Sequence, residues 1–303
     1  QNILMSNVQR KICINGNYYN KPYHQNITYS LEVKSELFIK NTEILFINFD
    51  FLSVKLIFIN IKTRFENCAF VRSKFASKYE RQKIWIFFMS LFNVTWYHGK
   101  IVIMDSFKSM HIIVSNVLFD NVAFHIVGKF LSIHFESVMF LVSDKSTILI
   151  SKEQSWYINK MYNNYINNVD FLNRNQIRFH NVTVHGCHKN VSGPCIKRNA
   201  PVTFIKLTKA NIFISFSHCT FESFSNVLTI KTESFQHLSF KRYKSTPVFL
   251  NIKIKQCKFK CIYNFKESGG VINLYIGKMI QPVISTHISI VNSLFERTAA
   301  LNE

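Results

Sequence analysis

The sequence predicts an all-β protein, a parallel β-helix (solenoid) with inserted loops. Three observations lead to this fold class: a six-residue pattern recurs along nearly the whole chain, segments of alternating apolar and polar residues precede it, and 30 of the 303 residues are Phe. Alternation and an excess of β-branched and aromatic residues favour strands over helices. The chain is 48% hydrophobic with only 8 Gly and 5 Pro, which excludes a disordered or collagen-like protein.

The recurring pattern is a six-residue unit. It consists of an apolar residue, any residue, a polar residue that is usually Asn, two further residues, and an aromatic residue or Val, as in Phe65–Phe70 (FENCAF) and Val114–Phe119 (VSNVLF). Chance repetition in a chain rich in Asn and Phe is the alternative, but ordered spacing over nine copies is hard to obtain from composition alone. We call the polar third residues the anchors: Asn48, Asn67, Asn93, Asn116, Ser137, Asn181, His218, Gln256 and Asn292.

The anchors are spaced as the circuits of a solenoid would be. The first four intervals between anchors are 19 to 26 residues long, close to the roughly 20 residues of a short structural repeat. The later intervals are longer and need loops inserted between strands, or two circuits per interval. Alternating segments precede two anchors, at Ile212–Phe216 and Phe249–Ile254, and further strand candidates lie at Thr147–Ile150, Val227–Ile230 and Val271–Leu274.

The residue types of the unit fit stacked circuits. Neighbouring strands lie about 4.8 Å apart, so equivalent side chains of successive circuits stand directly over one another. Asn at a turn tolerates left-handed backbone and can hydrogen-bond along a ladder of like residues. The position after the anchor is inward and small or apolar, and there Cys68, Cys219 and Cys257 share one register.

The sequence shows no domain boundary within the solenoid. Residues 1–35 are expected to form an N-terminal cap segment, and residues 36–303 the parallel β-helix, which we expect to continue beyond the chain end. An uncovered final circuit exposes backbone donors and acceptors that pair readily with another strand. We therefore expect continuation of the helix or end-to-end self-association.

The C-terminal part carries a resemblance to a known family. Gly269–Leu274 (GGVINL) and Ile288–Ala299 (ISIVNSLFERTA) resemble the repeats of right-handed parallel β-helix proteins of the polymorphic outer-membrane-protein type, which combine Gly-Gly-Ala-Ile with Phe-x-x-Asn. The resemblance implies a right-handed helix and a secreted or cell-surface setting. Val271 replaces the family's Ala, Thr298 replaces its Asn, and Gly-Gly occurs once, so the resemblance implies no ligand.

The cysteines suggest an oxidising compartment. Cys187 and Cys195 bracket a polar loop that contains Gly193 and Pro194, which predicts a local disulfide. The total of seven leaves at least one thiol unpaired. Zinc binding is the alternative, but Cys-x-x-Cys is absent from the sequence, and we predict neither a metal site nor a cofactor.

Glycosylation motifs agree with an extracellular protein. Four Asn-x-Ser/Thr sequons begin at Asn26, Asn93, Asn181 and Asn190, and they would accept N-glycans in a secreted protein. About this number arises by chance, so the sequons support secretion only together with the cysteines. No transmembrane segment is predicted, because the most apolar region, 44–61, carries Asp50 and Lys55.

The formal charge of +20, from 37 Lys and Arg against 17 Asp and Glu, predicts a surface that attracts polyanions. Sulfated glycans, acidic proteins and anionic lipids are candidates, whereas nucleic acid is not expected because no recognised module is present. Lysines that only solubilise outward strand faces are the alternative. The candidate partner-binding residues are the aromatics of segment 156–175 and a basic cluster: Trp156, Tyr157, Tyr162, Tyr165, Lys241, Arg242 and Lys244.

Many parallel β-helices are polysaccharide lyases or glycoside hydrolases, and such an enzyme is the alternative function. These activities need clustered carboxylates, but the five Asp are dispersed along the chain. His98-Gly99 and His185-Gly186 match a dipeptide of pectin-degrading hydrolases without the acidic partners. We predict no catalytic residue and expect a non-enzymatic extracellular structural or adhesion-type ectodomain that presents loops and a basic face to glycans or protein partners.

Overall fold

The described part of the chain is built from parallel β-strands. The computed structural model describes residues 3–5, 11–15, 36–40, 43–52, 55–59, 62–77, 86–104, 109–128, 131–141, 148–152, 176–186, 205–207, 212–224, 226–232, 248–264, 270–276 and 284–300. These segments contain 24 strands and no helix, and all strand pairs belong to one sheet and run parallel. The prediction of an all-β protein with a parallel sheet is confirmed.

The strand pairs fall into three stacks, which the chain visits in the order A, B, C and then A again. Stack A contains β1 (Ile3–Met5), β3 (Glu36–Lys40), β6 (Lys55–Ile59), β9 (Lys74–Ser77), β13 (Ile148–Lys152), β16 (Ile205–Leu207), β19 (Leu228–Thr232) and β22 (Ile272–Ile276). Stack B contains β2 (Lys11–Asn15), β4 (Glu43–Ile47), β7 (Lys62–Glu66), β14 (Gln176–His180), β17 (Ile212–Ser217), β20 (Val248–Lys255) and β23 (Ile284–Val291).

Stack C lies between stack B and the next strand of stack A. It contains β5 (Asp50–Leu52), β8 (Ala69–Val71), β15 (Thr183–His185), β18 (Thr220–Phe224), β21 (Lys258–Asn264) and β24 (Leu294–Ala300). Three long strands run through more than one stack: β10 (Ile86–Met104), β11 (Ser109–Gly128) and β12 (Leu131–Leu141). This pairing is compatible with a β-helix or solenoid, and the strand candidates predicted from the sequence overlap β13, β17, β19, β20 and β22.

The core lies between the stacks and is filled by equivalent residues of successive repeats. Phe135, Phe179 and Phe216 are register partners in stack B, and their rings stack at centroid distances of 4.9 and 5.0 Å. Phe70 stacks on Trp96 at 4.2 Å in stack C. These distances match the spacing of about 4.8 Å between neighbouring strands, so these buried rings cover one another from repeat to repeat.

The turn from stack B to stack C, which we call the first corner, is formed by the anchors. All nine anchors have left-handed φ values, between 51° and 58°, a conformation that Asn tolerates better than most residues. The Asn93 side-chain amide donates to Asn67 Oδ1 at 3.1 Å, and the Asn116 amide donates to Asn93 Oδ1 at 3.0 Å. Asn181 donates to Ser137 Oγ at 3.1 Å. The predicted left-handed turn and side-chain ladder are both confirmed.

The turn from stack C to stack A, the second corner, was not predicted. It too has left-handed residues, namely Arg72, His98, Asn121, Ser223, Cys261 and Arg297, with φ between 49° and 67°. The residue that follows the left-handed one makes the same contact at both corners, with the carbonyl oxygen two residues before it. The Cys68 thiol lies 3.3 Å from the carbonyl oxygen of Glu66, and the Ser73 hydroxyl lies 3.1 Å from that of Val71.

The first and last described strands relate to two predictions, the N-terminal cap and the continuation of the β-helix. Within residues 1–35, β1 pairs with β3 and β2 pairs with β4, while the rest of that segment lies outside the described residues. At the other end, the inward residues Ile288, Ile290 and Phe295 are exposed, because β23 and β24 have a described partner on one side only. The cap and the continuation of the helix remain predictions.

Candidate ligand-binding depression

The outward face of stack B contains a depression of about 370 Å³. It forms where β10, β11, β12 and β14 lie side by side. Side chains alternate between the two faces of each strand. The core holds Met89, Ile112, Ile133 and Ile177, so the residues next to them point outward and line the depression. The side chains that line the depression come from seven outward positions: Phe88, His111, Ile113, Ser132, His134, Gln176 and Arg178.

Strand register brings these seven residues together. One row across the strands consists of Phe88, His111, Ser132 and Gln176, each the pairing partner of the next. The neighbouring row consists of Ile113, His134 and Arg178, again each the partner of the next. Since adjacent strands are about 4.8 Å apart, a ligand the size of a sugar ring would contact several of these side chains at once.

Both imidazoles in the depression favour the neutral form. Burial lowers the pKa of His111 below its usual value. Burial also lowers the pKa of His134; Glu136 opposes this effect, and the positive charge of Arg178 and the neighbouring His180 add to it. A neutral imidazole offers one donor and one acceptor, whereas the protonated form offers two donors and a positive charge.

The lining suits an anionic ligand with a ring. Arg178 presents a planar fork of donors that matches a carboxylate or a sulfate. Ser132 and Gln176 add neutral hydrogen-bonding groups, and Phe88 adds an aromatic surface. No Asp or Glu lines the depression, so its lining lacks the pair of carboxylates that glycoside hydrolysis uses. Among the described residues, no group of three or more His, Cys, Asp or Glu could hold a metal ion.

Basic residues continue along the same face toward the C-terminal repeats. Arg178 pairs with Ser215, which pairs with Lys253, so the two cations lie in one row two strands apart. The Lys253 amine lies 5.7 Å from the ring centroid of Phe213, a cation–π contact. Lys255 lies in the next outward row of β20 and is exposed. We call Arg178, Lys253 and Lys255 the basic face.

The structure describes only some of the predicted site residues. Asn93 and Asn181 are exposed at the first corner, where their amides belong to the ladder; their glycosylation remains a prediction. The other predicted sites lie outside the described residues and also remain predictions: Asn26, Asn190, Cys187, Cys195, Trp156, Tyr157, Tyr162, Tyr165, Lys241, Arg242 and Lys244.

Sequence reasoning missed the depression itself. Its residues extend from Phe88 to Arg178 and form no local motif. Aligning the segments that precede each anchor could have revealed it. Such an alignment places four polar residues at outward positions of neighbouring repeats, namely His111, Ser132, His134 and Arg178.

Comparison of the chain with protein-family models, with curated proteins and with solved structures gave no match. A helix long and apolar enough to cross a membrane is also absent from the described segments.

Proposed function

We propose that this chain is a non-enzymatic extracellular structural or adhesion-type ectodomain, a right-handed parallel β-helix that presents loops and a basic face to glycans or protein partners. The observation that supports this most directly is the depression on stack B, which combines Arg178, two histidines and an aromatic ring without a carboxylate. The ordered passage of the chain through three parallel stacks supports the β-helix. The resemblance of the C-terminal repeats to surface-protein repeats supports the right hand and the extracellular setting.

An acidic sugar is the partner whose chemistry fits the site best. Its carboxylate or sulfate would accept hydrogen bonds from Arg178, its hydroxyls would pair with Ser132 and Gln176, and its ring would lie against Phe88. Lys253, two strands further along the same row, would contact the next anionic group of an extended chain. A ligand of this kind takes advantage of the net charge of +20 and would bind less tightly as salt is added.

The decisive experiment measures binding of a sulfated heparin oligosaccharide by calorimetry. We expect Arg178→Gln to weaken binding at least about tenfold, because a charge-assisted hydrogen bond contributes about 1.5–3 kcal/mol. Lys74→Gln makes the same change of charge on an exposed residue of stack A and should have little effect. A neutral oligosaccharide of equal length should not bind.

Three results would contradict the proposal. Failure of the unmodified protein to bind any acidic oligosaccharide would remove the glycan-binding function. Equal losses for the Arg178 and Lys74 variants would show that net charge, and not the depression, attracts the ligand. Cleavage of the oligosaccharide by the purified protein would show that the chain is an enzyme.

Binding should also strengthen as the pH falls from 7 to about 5. The pKa values of His111 and His134 are lowered in the free protein, so both are neutral at pH 7, and an anion would favour their protonated forms. A sulfate stays ionised over this range and therefore isolates the imidazoles. His134→Gln should flatten the pH profile of the affinity. A profile identical to that of the unmodified protein would show that His134 does not face the ligand.

Without ligand, the same two histidines affect stability with the opposite sign. Their lowered pKa means that the unfolded chain takes up protons first as the pH falls below 6.5, the value from which both are shifted. Stability should therefore decrease as the pH falls below that value. Urea denaturation at pH 7.5 and 5.5, with and without the oligosaccharide, would show both trends.

End-to-end self-association is part of the proposal. The inward residues Ile288, Ile290 and Phe295 of the last described repeat are exposed, and the outer edges of β23 and β24 lack a described partner strand. A second copy that pairs with this edge would cover both features. Sedimentation velocity should show a concentration-dependent dimer, and Ile290→Lys should abolish it. A strictly monomeric species at micromolar concentration would contradict this part of the proposal.

A further inference from the structure

Two buried cysteines occupy equivalent places in neighbouring repeats. Cys219 and Cys257 each follow an anchor at the first corner, and both are about 1% exposed. The His218 amide donates to the carbonyl oxygen of Lys255 at 3.0 Å, and the Lys258 amide donates to that of Cys219 at 2.8 Å. These bonds enclose the two cysteines and hold one directly above the other.

The other cysteines of the described segments lack such a neighbour. In β2, Cys13 is the pairing partner of Leu45. Cys68 also follows an anchor, but backbone bonds place Phe49 and Val94 in the repeats on either side of it. Cys261 lies at the second corner. Among the cysteines that the structure describes, Cys219 and Cys257 are therefore the pair whose side chains meet in register.

We propose that Cys219 and Cys257 form a disulfide when the chain folds in an oxidising compartment. The spacing of about 4.8 Å between paired parallel strands lies inside the range of roughly 4.4–6.8 Å that Cα atoms of a disulfide adopt. Bond formation would draw the two Cβ atoms together by about 1 Å. The pair lies at a corner, outside the regular strands, where the backbone can take up this shift.

The reaction is a thiol–disulfide exchange with a small disulfide such as oxidised glutathione. One cysteine loses its proton and attacks the small disulfide, which releases one glutathione thiolate and leaves a mixed disulfide. The second cysteine, also deprotonated, attacks the mixed disulfide and releases the second glutathione. The two protons go to the two glutathione thiolates. The two cysteines are oxidised by two electrons in total, and these electrons reduce the small disulfide.

Both side chains are buried in the folded repeat, so the exchange takes place while the two repeats close on each other. Either thiol can therefore make the first attack. The resulting bond would link β17 and β18 to β20 and β21, independently of what the protein binds.

Peptide mapping of the full chain tests the disulfide directly. The protein is refolded in a mixture of oxidised and reduced glutathione, alkylated after denaturation and digested without reduction. We expect a linked peptide that contains Cys219 and Cys257, and an alkylated Cys68. Alkylation of both Cys219 and Cys257 would overturn the proposal, as would their linkage to other cysteines.

Stability measurements supply a second readout with a matched control. Val occupies the position after the anchor at 94, 117, 138 and 182, so Cys219→Val and Cys68→Val both fit the first corner. Reductant should lower the thermal midpoint of the unmodified protein and of Cys68→Val by more than that of Cys219→Val. Any contribution of Cys187 and Cys195 is the same in all three proteins. Equal shifts in all three proteins would overturn the proposal, and if Cys219→Val failed to fold, the peptide map alone would decide.

Discussion

Both corners contain a residue with left-handed backbone, but the residue types at the two corners differ. At the first corner, six of the nine left-handed anchors are Asn, whereas the second corner uses residues as unlike as Arg72, His98 and Cys261 at similar φ. Left-handed backbone alone therefore does not select Asn. Side-chain hydrogen bonds between repeats occur at both corners, since the Asn121 amide lies 3.0 Å from His98 Nδ1 at the second corner. At the first corner they join three successive repeats, because Asn93 donates to Asn67 and accepts from Asn116.

The position after the left-handed residue shows a second difference. At the first corner it holds Cys68 or Val94, which fit a buried site of moderate size. At the second corner the same position holds Ser73 and then Gly99, because the Trp96 indole occupies the space there. The first corner is therefore uniform enough to be recognised in the sequence, whereas the residues of the second corner vary with the side chains around them.

Gly99→Ala should be the most destabilising change at either corner. The added Cβ would clash with Trp96 Nε1 and lie 2.5 Å from the Ser73 carbonyl oxygen, which belongs to the backbone and cannot rotate away. We expect a loss of about 3 kcal/mol of unfolding free energy, at the upper end of the range for overpacking. Urea denaturation with Val94→Ala as the first-corner counterpart checks this. A smaller loss for Gly99→Ala than for Val94→Ala would mean that the second corner can expand.

Asn93→Ala should cost more than His98→Ala. Both variants place Ala in a left-handed conformation, which costs about 1 kcal/mol. Asn93→Ala also removes two side-chain bonds between repeats and His98→Ala removes one, to Asn121, for totals of about 2 and about 1.5 kcal/mol. Asn93→Gly relieves the backbone and isolates the ladder, so its loss should be about half that of Asn93→Ala. Chemical denaturation of protein made without glycans gives all three values. An Asn93→Gly variant as stable as the unmodified protein would remove the energetic role of the ladder.

The smallest effects should come from Ser73→Val and Cys68→Val. Ser73→Val removes a hydroxyl whose single proton is shared between the carbonyl oxygens of Phe51, 2.9 Å away, and Val71, 3.1 Å away, which should cost about 1 kcal/mol. Cys68→Val should change stability by less than about 0.5 kcal/mol, because a thiol is a weak donor. If Cys68→Val proved as costly as Ser73→Val, the thiol contacts at the first corner would matter more than its shape.

Features that repeat in one register, such as the anchors, could be predicted from the sequence, whereas the second corner and the depression could not. The anchors and the strands before them were recognisable because the same residue type returns to the same inward or corner position. Arg72 and His98 share no chemical property that marks a left-handed turn. The depression escaped prediction for a related reason: outward positions such as His111 and Arg178 are unconstrained by the core, so no pattern relates them until stacking brings them together.

The ladder at the first corner joins anchors of successive repeats whatever the number of residues between them. Asn67 and Asn93 are 26 residues apart, and Ser137 and Asn181 are 44 apart, yet both pairs are joined by a side-chain hydrogen bond of 3.1 Å. Chain length between two anchors is thus decoupled from the geometry at the corner. A peptide grafted between Lys152 and Gln176 should leave the flanking strands in register, which makes the molecule a scaffold for displaying foreign segments of varied length at a fixed height along its axis.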